Sequence, residues 1–208
     1  MKCKEQKFIF IDITKNAGTA IIKSFMKEYP HNNYEGKHHS IPNFTSPINW
    51  PEAPTCTHIT EQDIKENTLF TVIRNPWDRM VSLYFWGIKS WYFDCKNFKD
   101  FIRRANNNDY KEYNQHRYRR QIEWISNENG EIIVKNILFF EKLQRDFDAF
   151  ISSKIKIPNF KILKRNTAKQ RSGIERKHYT EYYDKETIEI VAEKYAKDIE
   201  YFGYEFGD

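Results

Sequence analysis

The chain has 208 residues, enough for one compact domain with a substantial core and too few for two ordinary ones, so a single domain over 1–208 is expected. Its 39% hydrophobic, 16% aromatic and 30% charged residues exclude a disordered or fibrous chain. The net charge of +5 suits an anionic ligand and ordinary solubility equally well.

Cys3, Cys56 and Cys95 are odd in number and show neither a C-x-x-C pair nor zinc-ligand spacing. No disulfide framework and no metal are expected, and the thiols read as reduced. Met1 to Lys7 is polar and runs straight into apolar residues, which leaves no room for a signal peptide or membrane span. A cytoplasmic location is the expectation.

After Lys7, Phe8 to Ile11 is a continuous apolar run, the pattern of a strand buried on both faces. A short turn containing Gly18 follows, and then a helix with Ile21, Ile22, Phe25, Met26 and Tyr29 on one face, ended by Pro30. Pro30 to Pro54 shows no sustained period and predicts a long irregular connection. Thr55 to His58 reads as a short strand, and Leu69 to Ile73 as a second buried one.

Asn75 is placed to cap the next helix, with Pro76 at its first position, where a missing amide hydrogen costs nothing. Trp77, Met80, Val81, Tyr84, Phe85 and Ile88 should face the core, leaving Asp78, Arg79 and Ser82 on an accessible face. Weaker helical signals cover Asn97 to Ala105 and Gln115 to Ile125. A third strand is predicted at Asn136 to Phe140, then a helix from Glu141 to about Ser152. The last helix is capped by Asp184 and carries Ile188, Val191, Ala192, Tyr195, Ala196 and Ile199 as one stripe. Strands alternating with helices predict an α/β fold on a mainly parallel sheet.

Two segments carry chemistry. Asp12 to Ala20 joins a strand to a helix, where unpaired amides face an anion; Gly18 admits close backbone approach, Lys15 adds a cation and Thr19 a hydroxyl. Alone, this is equally an ordinary tight turn. Lys15 precedes the glycine, whereas a nucleotide triphosphatase loop places its lysine after it, which disfavours a magnesium-dependent kinase. In the second segment, L-F-T-V-I-R-N-P-W-D-R-M-V-S-L-Y, Arg74 ends a strand and Ser82 lies on the following helix, a guanidinium and a hydroxyl suited to one phosphate.

Together the two segments resemble the sulfotransferases, specifically the carbohydrate-type branch related to heparan sulfate 2-O-sulfotransferases and bacterial polysaccharide enzymes. Asp12 to Ala20 is similar to that family's 5′-phosphosulfate loop, I-P-K-T-x-G-T-S, and Arg74 to Ser82 to its 3′-phosphate motif, R-[ND]-P-x-x-R-x-x-S. The likeness continues through F-F-E-K-L-Q-R-D-F, Asn166-Thr167 and Y-A-K-D-I-E-Y-F-G-Y-E-F. It implies a three-layer architecture like that of P-loop nucleotidases, and 3′-phosphoadenosine 5′-phosphosulfate (PAPS) as sulfate donor.

By the same resemblance Lys15 stabilises the bridging oxygen, amides of Asn16, Ala17, Gly18, Thr19 and Ala20 cradle the 5′-phosphate, and Arg74 and Ser82 hold the 3′-phosphate. Arg171 and Gly173, in a basic segment from Lys161 to Gly173, are further 3′-phosphate candidates, although such a run is as readily a solvated loop. Thr14, Asn16 and Ala20 depart from the family's Pro, Thr and Ser.

Transfer to an alcohol needs a base, and no metal in principle. His58 stands where such relatives carry a catalytic histidine, whose ordinary pKa suits the task. His38 and His39 compete for the role, because His38-His39-Ser40 and His58-Ile59-Thr60 both fit an H-x-[ST] pattern, while Glu61 and Asp63 read better as first-turn helix residues. The acceptor, a glycan or similar hydroxylated molecule, is expected against Pro30 to Pro54 and a middle region holding Trp86, Trp91, Tyr92, Arg117, Arg119 and Arg120. Alternatives are a small-molecule kinase and a degenerate protein that binds the donor without turnover. No nucleic-acid motif accompanies the basic clusters, so no nucleic-acid partner is expected.

Overall fold

The computed structural model describes residues 1–35, 38–40, 56–89, 93–110, 116–157, 160–163 and 176–208. They group into two compact units, Met1–Ile73 with Glu123–Arg165, and Arg74–Ile122 with Asn166–Asp208.

The first unit is built on the apolar runs. β1 (Lys2–Cys3), β2 (Phe8–Ile11), β3 (Tyr34–Glu35), β6 (Thr68–Ile73) and β7 (Asn136–Phe139) form one sheet in the order β3-β1-β2-β6-β7. β2, β6 and β7 are parallel, and only β1 runs against its neighbours, so the sheet is mainly parallel as predicted. All four residues of β2 are fully buried, which is why both of its faces are apolar.

On one face Phe8, Phe10, Phe70, Val72 and Leu138 pack against Ile21 and Phe25 of helix α1 (Gly18–Glu28). Phe147 and Phe150 of α5 (Leu143–Phe150) complete that layer, followed by a wide turn at Ile151–Ile155. The rings interlock, with Phe10 to Phe70 centroids 4.9 Å apart and Phe70 to Phe150 at 4.6 Å. Each buried phenylalanine contributes about 1.5–3 kcal/mol through area removed from water.

The stripe of α1 is narrower than the sequence predicts. Met26 is exposed, and the helix stops at Glu28. The connection predicted as irregular contains β3 and, at His38–Ser40, β4, which pairs in parallel with β5 (Cys56–His58). Strands of two or three residues carry too few alternations to print a period.

The second unit is helical. Asn75 caps α3 (Pro76–Lys89) as predicted, its Oδ1 accepting from Trp77 N at 3.0 Å, while its Nδ2 donates to the Glu205 carbonyl at 3.0 Å. α4 (Phe98–Asn106) packs beside α6 (Lys185–Lys194), whose predicted cap Asp184 accepts from Thr187 N at 2.9 Å. The last helix is broken in two, with α7 (Ala196–Phe202) beginning after Tyr195. There the chain bends where Tyr195, fully buried, gives its hydroxyl to the Tyr118 carbonyl at 2.6 Å.

The helical signal at 115–125 resolves into tight turns at His116–Tyr118 and Ile122–Trp124. Side chains from α3 and α7 take the polar groups of 117–122, so no helix is needed to satisfy them. Between β5 and β6, α2 (Glu61–Glu66) starts in a reciprocal cap, Asp63 N donating to Thr60 Oγ1 at 3.1 Å and Thr60 N to Asp63 Oδ2 at 3.0 Å. No helix among the described residues is long and apolar enough to cross a membrane.

Candidate functional site

In the first unit β2 ends at Ile11, side by side with Thr71 of β6, so the carboxyl ends of the two strands are adjacent. Ligands in open α/β sheets bind beyond such ends. The chain then turns through Asp12 to Ala17 into α1. Lys15 and Ala17 have φ of 74° and 67°, and Asn16 between them does not share the positive sign. Alternation of this kind points successive amide hydrogens into one concavity, an anion-binding nest.

Hydrogen bonds sort the amides of this turn. Asn16 N donates to the Ile13 carbonyl at 3.1 Å, and Ala20 N to the Ala17 carbonyl at 2.9 Å. The amides of Ala17, Gly18 and Thr19 donate to no backbone carbonyl among the described residues. Of the five amides expected to form the cradle, the middle three are thus those without a backbone acceptor among the described residues, with the half-buried Lys15 beside them.

Asn16 and Thr71 explain how the turn keeps its shape. Asn16 is 1% exposed and donates through Nδ2 to the Val72 carbonyl at 2.8 Å, while Thr71 Oγ1 donates to the Ile11 carbonyl at 2.8 Å. The Asn16 side chain thus reaches into the fold.

Gly18 also has a reason within the fold itself. A Cβ there would sit 1.7 Å from Asp12 Oδ1, so the glycine makes room for a buried carboxyl. Burial pushes Asp12 up to about 7, against the opposing pull of the Met1 amino group and Lys15.

The three candidate bases are brought to one small ladder. His38 pairs with Cys56, His39 with Thr57, and Ser40 with His58. Of the weaker candidates, Asp63 is engaged in the cap of α2.

In the second unit, Arg74 follows directly on the last residue of β6, and its Nε and Nη2 both meet Asp78 Oδ2 at 2.7 Å. Ser82, one further turn along α3 on the same line as Asp78, is 5% exposed. The predicted accessible face of α3 is a correction: Arg79 is fully buried, donating to the Arg117 carbonyl at 2.9 Å and the Arg119 carbonyl at 2.8 Å. Arg79 binds a segment of bare backbone instead of water, and Asp78 binds Arg74.

Gln121, in no motif, and Asp198, within the Y-A-K-D-I-E-Y-F-G-Y-E-F stretch but without an expected role, are also fully buried here. Gln121 bonds both backbone groups of Arg74, and Asp198 accepts from Gln121 N at 2.7 Å and Ile122 N at 2.9 Å. Burial raises the Asp198 carboxyl above its ordinary range, opposed by those amides and by Arg79. Of the acceptor candidates, Arg117 stacks over Trp86 at 4.6 Å. Trp91, Tyr92, Arg171 and Gly173 lie outside the described residues.

A family model described as the sulfotransferase family matches residues 1–205. No curated protein and no solved structure gives a significant match.

Proposed function

The chain belongs to the sulfotransferase family, a family of sulfuryl-transferring enzymes, and from that premise we propose that it moves a sulfuryl group from PAPS to a hydroxyl of a carbohydrate or similar acceptor. The observation that supports the donor half is the turn from Lys15 to Thr19, where Lys15 and Ala17 take positive φ and the amides of Ala17, Gly18 and Thr19 donate to no backbone carbonyl among the described residues, an arrangement suited to one anion. These residues fit a 5′-phosphosulfate, and the guanidinium of Arg74 with the Ser82 hydroxyl suits a 3′-phosphate.

When bound, the donor supplies the sulfuryl group, its sulfur passing from the phosphate oxygen to the acceptor oxygen. The amides of Ala17, Gly18 and Thr19 hold the phosphate by fixed dipoles that need no reorganisation. Lys15 places a positive charge where the departing oxygen gathers its negative one. Arg74 and Ser82 anchor the nucleotide at its other phosphate, Arg171 and Gly173 adding to that anchor, and the binding energy orients the reacting end.

His58 takes the proton of the acceptor hydroxyl, with His38 and His39 as the alternatives on the same ladder. No metal is assigned a part. The acceptor is a glycan or a similar hydroxylated molecule, and the free thiols of Cys3 and Cys95 accord with a cytoplasmic setting.

Calorimetric titration with 3′-phosphoadenosine 5′-phosphate tests the donor half. Wild type binds, and Arg74→Ala weakens binding by about tenfold or more, the value of a charge-assisted hydrogen bond. Equal binding by the two proteins, or none by either, removes the reading. For the base, His58→Ala abolishes transfer and keeps nucleotide binding; full turnover in that variant passes the role to His38 or His39.

A further inference from the structure

Arg74 stands one residue past the end of the β6 ladder, so none of the described strands pairs with its backbone. A single side chain does that work instead. Gln121 Oε1 accepts from Arg74 N at 2.9 Å, and Gln121 Nε2 donates to the Arg74 carbonyl at 2.8 Å. A primary amide offers a donor and an acceptor in one planar fork, the pair that an adjacent strand would present.

Gln121 is in turn fixed. Asp198 of α7 receives the amides of Gln121 and Ile122 on its two oxygens, at 2.7 and 2.9 Å. Arg79 of α3 binds the carbonyls of Arg117 and Arg119, and Tyr195 binds that of Tyr118 between them. Five backbone groups within 117–122 are therefore held by three buried side chains. At the other end, Asp78 grips the Nε and Nη2 edge of Arg74. Main chain and guanidinium are both constrained, which is what directional recognition of a phosphate by an arginine requires.

We propose that Gln121, held by Asp198, is the positioning residue that aims Arg74 at the 3′-phosphate of the donor nucleotide. Selectivity for a 3′-phosphorylated nucleotide then depends on a residue that never touches it. The inference rests on the donor reading above. Its physical basis is that a misplaced binding group loses affinity steeply even when the group itself is intact.

Two variants test it. Gln121→Met keeps the length and removes the fork; Gln121→Glu keeps an acceptor for Arg74 N and sets an oxygen against the Arg74 carbonyl. Wild type and both variants are titrated with 3′-phosphoadenosine 5′-phosphate and with adenosine 5′-phosphate, and their thermal unfolding is recorded.

In both variants affinity for the bisphosphate falls about tenfold or more, and affinity for the monophosphate stays within about twofold. A merely structural role lowers both affinities together. Equal losses, an unchanged ratio of the two affinities, or loss of cooperative unfolding in both variants overturns the proposal. Wild-type protein that fails to distinguish the two nucleotides overturns the donor reading and this inference with it. Discrimination by wild type that persists in the variants overturns the positioning role alone.

Discussion

The Asp12 carboxyl occupies the space that a side chain at Gly18 would need: an ideal Cβ on Gly18 lies 1.7 Å from Asp12 Oδ1 and 2.3 Å from Asp12 Cγ. Gly18→Ala should therefore lower stability by about 1–3 kcal/mol, the usual cost of overpacking a filled interior. Because the clash is with one residue, Asp12→Ala should absorb part of it, and urea titrations of the two single variants and the double variant will give a sum that is not additive. Additive losses would mean that Asp12 is not what confines position 18.

Asp12 also makes stability depend on pH, with a definite sign. Its ordinary carboxyl value is 3.8 and burial raises it to about 7 in the fold, so between these values the folded chain holds a proton that the unfolded chain has lost. The contribution is fully present below pH 3.8 and disappears as pH rises through about 7, at up to about 1.4 kcal/mol per pH unit. Asp12→Asn should flatten the profile of denaturation midpoint against pH over that window. A variant profile as steep as that of wild type would assign the slope to other groups.

Arg79 and Arg74 share one motif and should fail in different ways. Arg79→Ala leaves the Arg117 and Arg119 carbonyls without their donor and opens a void in the second unit, a loss of about 3–5 kcal/mol. Arg79→Lys cannot reach both carbonyls in the same plane and should recover only part of that. The check is the midpoint of thermal unfolding, which in Arg79→Ala should fall well below that of Arg74→Ala.

Ala17 holds a left-handed backbone, φ 67° and ψ 9°, at the cap of α1. Ala17→Gly removes the steric cost of a Cβ in that region, and should raise stability by about 0.5–1 kcal/mol. Its amide is unchanged, so affinity for 3′-phosphoadenosine 5′-phosphate should survive. A variant that gains stability and loses the nucleotide would show that the strained alanine, rather than the amide, shapes the nest.

The features legible in the sequence are those that repeat. β2 and β6 announce themselves as unbroken apolar runs, and α3 by Asn75, Pro76 and its apolar spacing, because burial and capping are local requirements. Lys15, Gly18, Arg74 and Ser82 stand on or beside those same elements, where the sequence puts them. The roles of Gln121 and Asp198 are not legible there, since their partners lie far along the chain, 47 residues away for Gln121 and Arg74 and 77 for Gln121 and Asp198. Arg79 was misplaced for a related reason: a charged residue at a helical position looks solvated until its acceptors, two bare carbonyls from another segment, are known. β4 escaped notice because three residues paired with β5 leave no periodic trace.

The β4 and β5 ladder has a consequence for how such a chain diversifies. Residues 41–55 leave from Ser40 and return at Cys56, so both their ends are tied to one pair of strands that also carries His38, His39 and His58. Adding residues between two fixed chain ends costs little in general, about 0.6 kcal/mol for each doubling of length. The register of the histidine ladder is held by the β4 and β5 pairing itself, so a change in the number of residues between Ser40 and Cys56 does not by itself shift it.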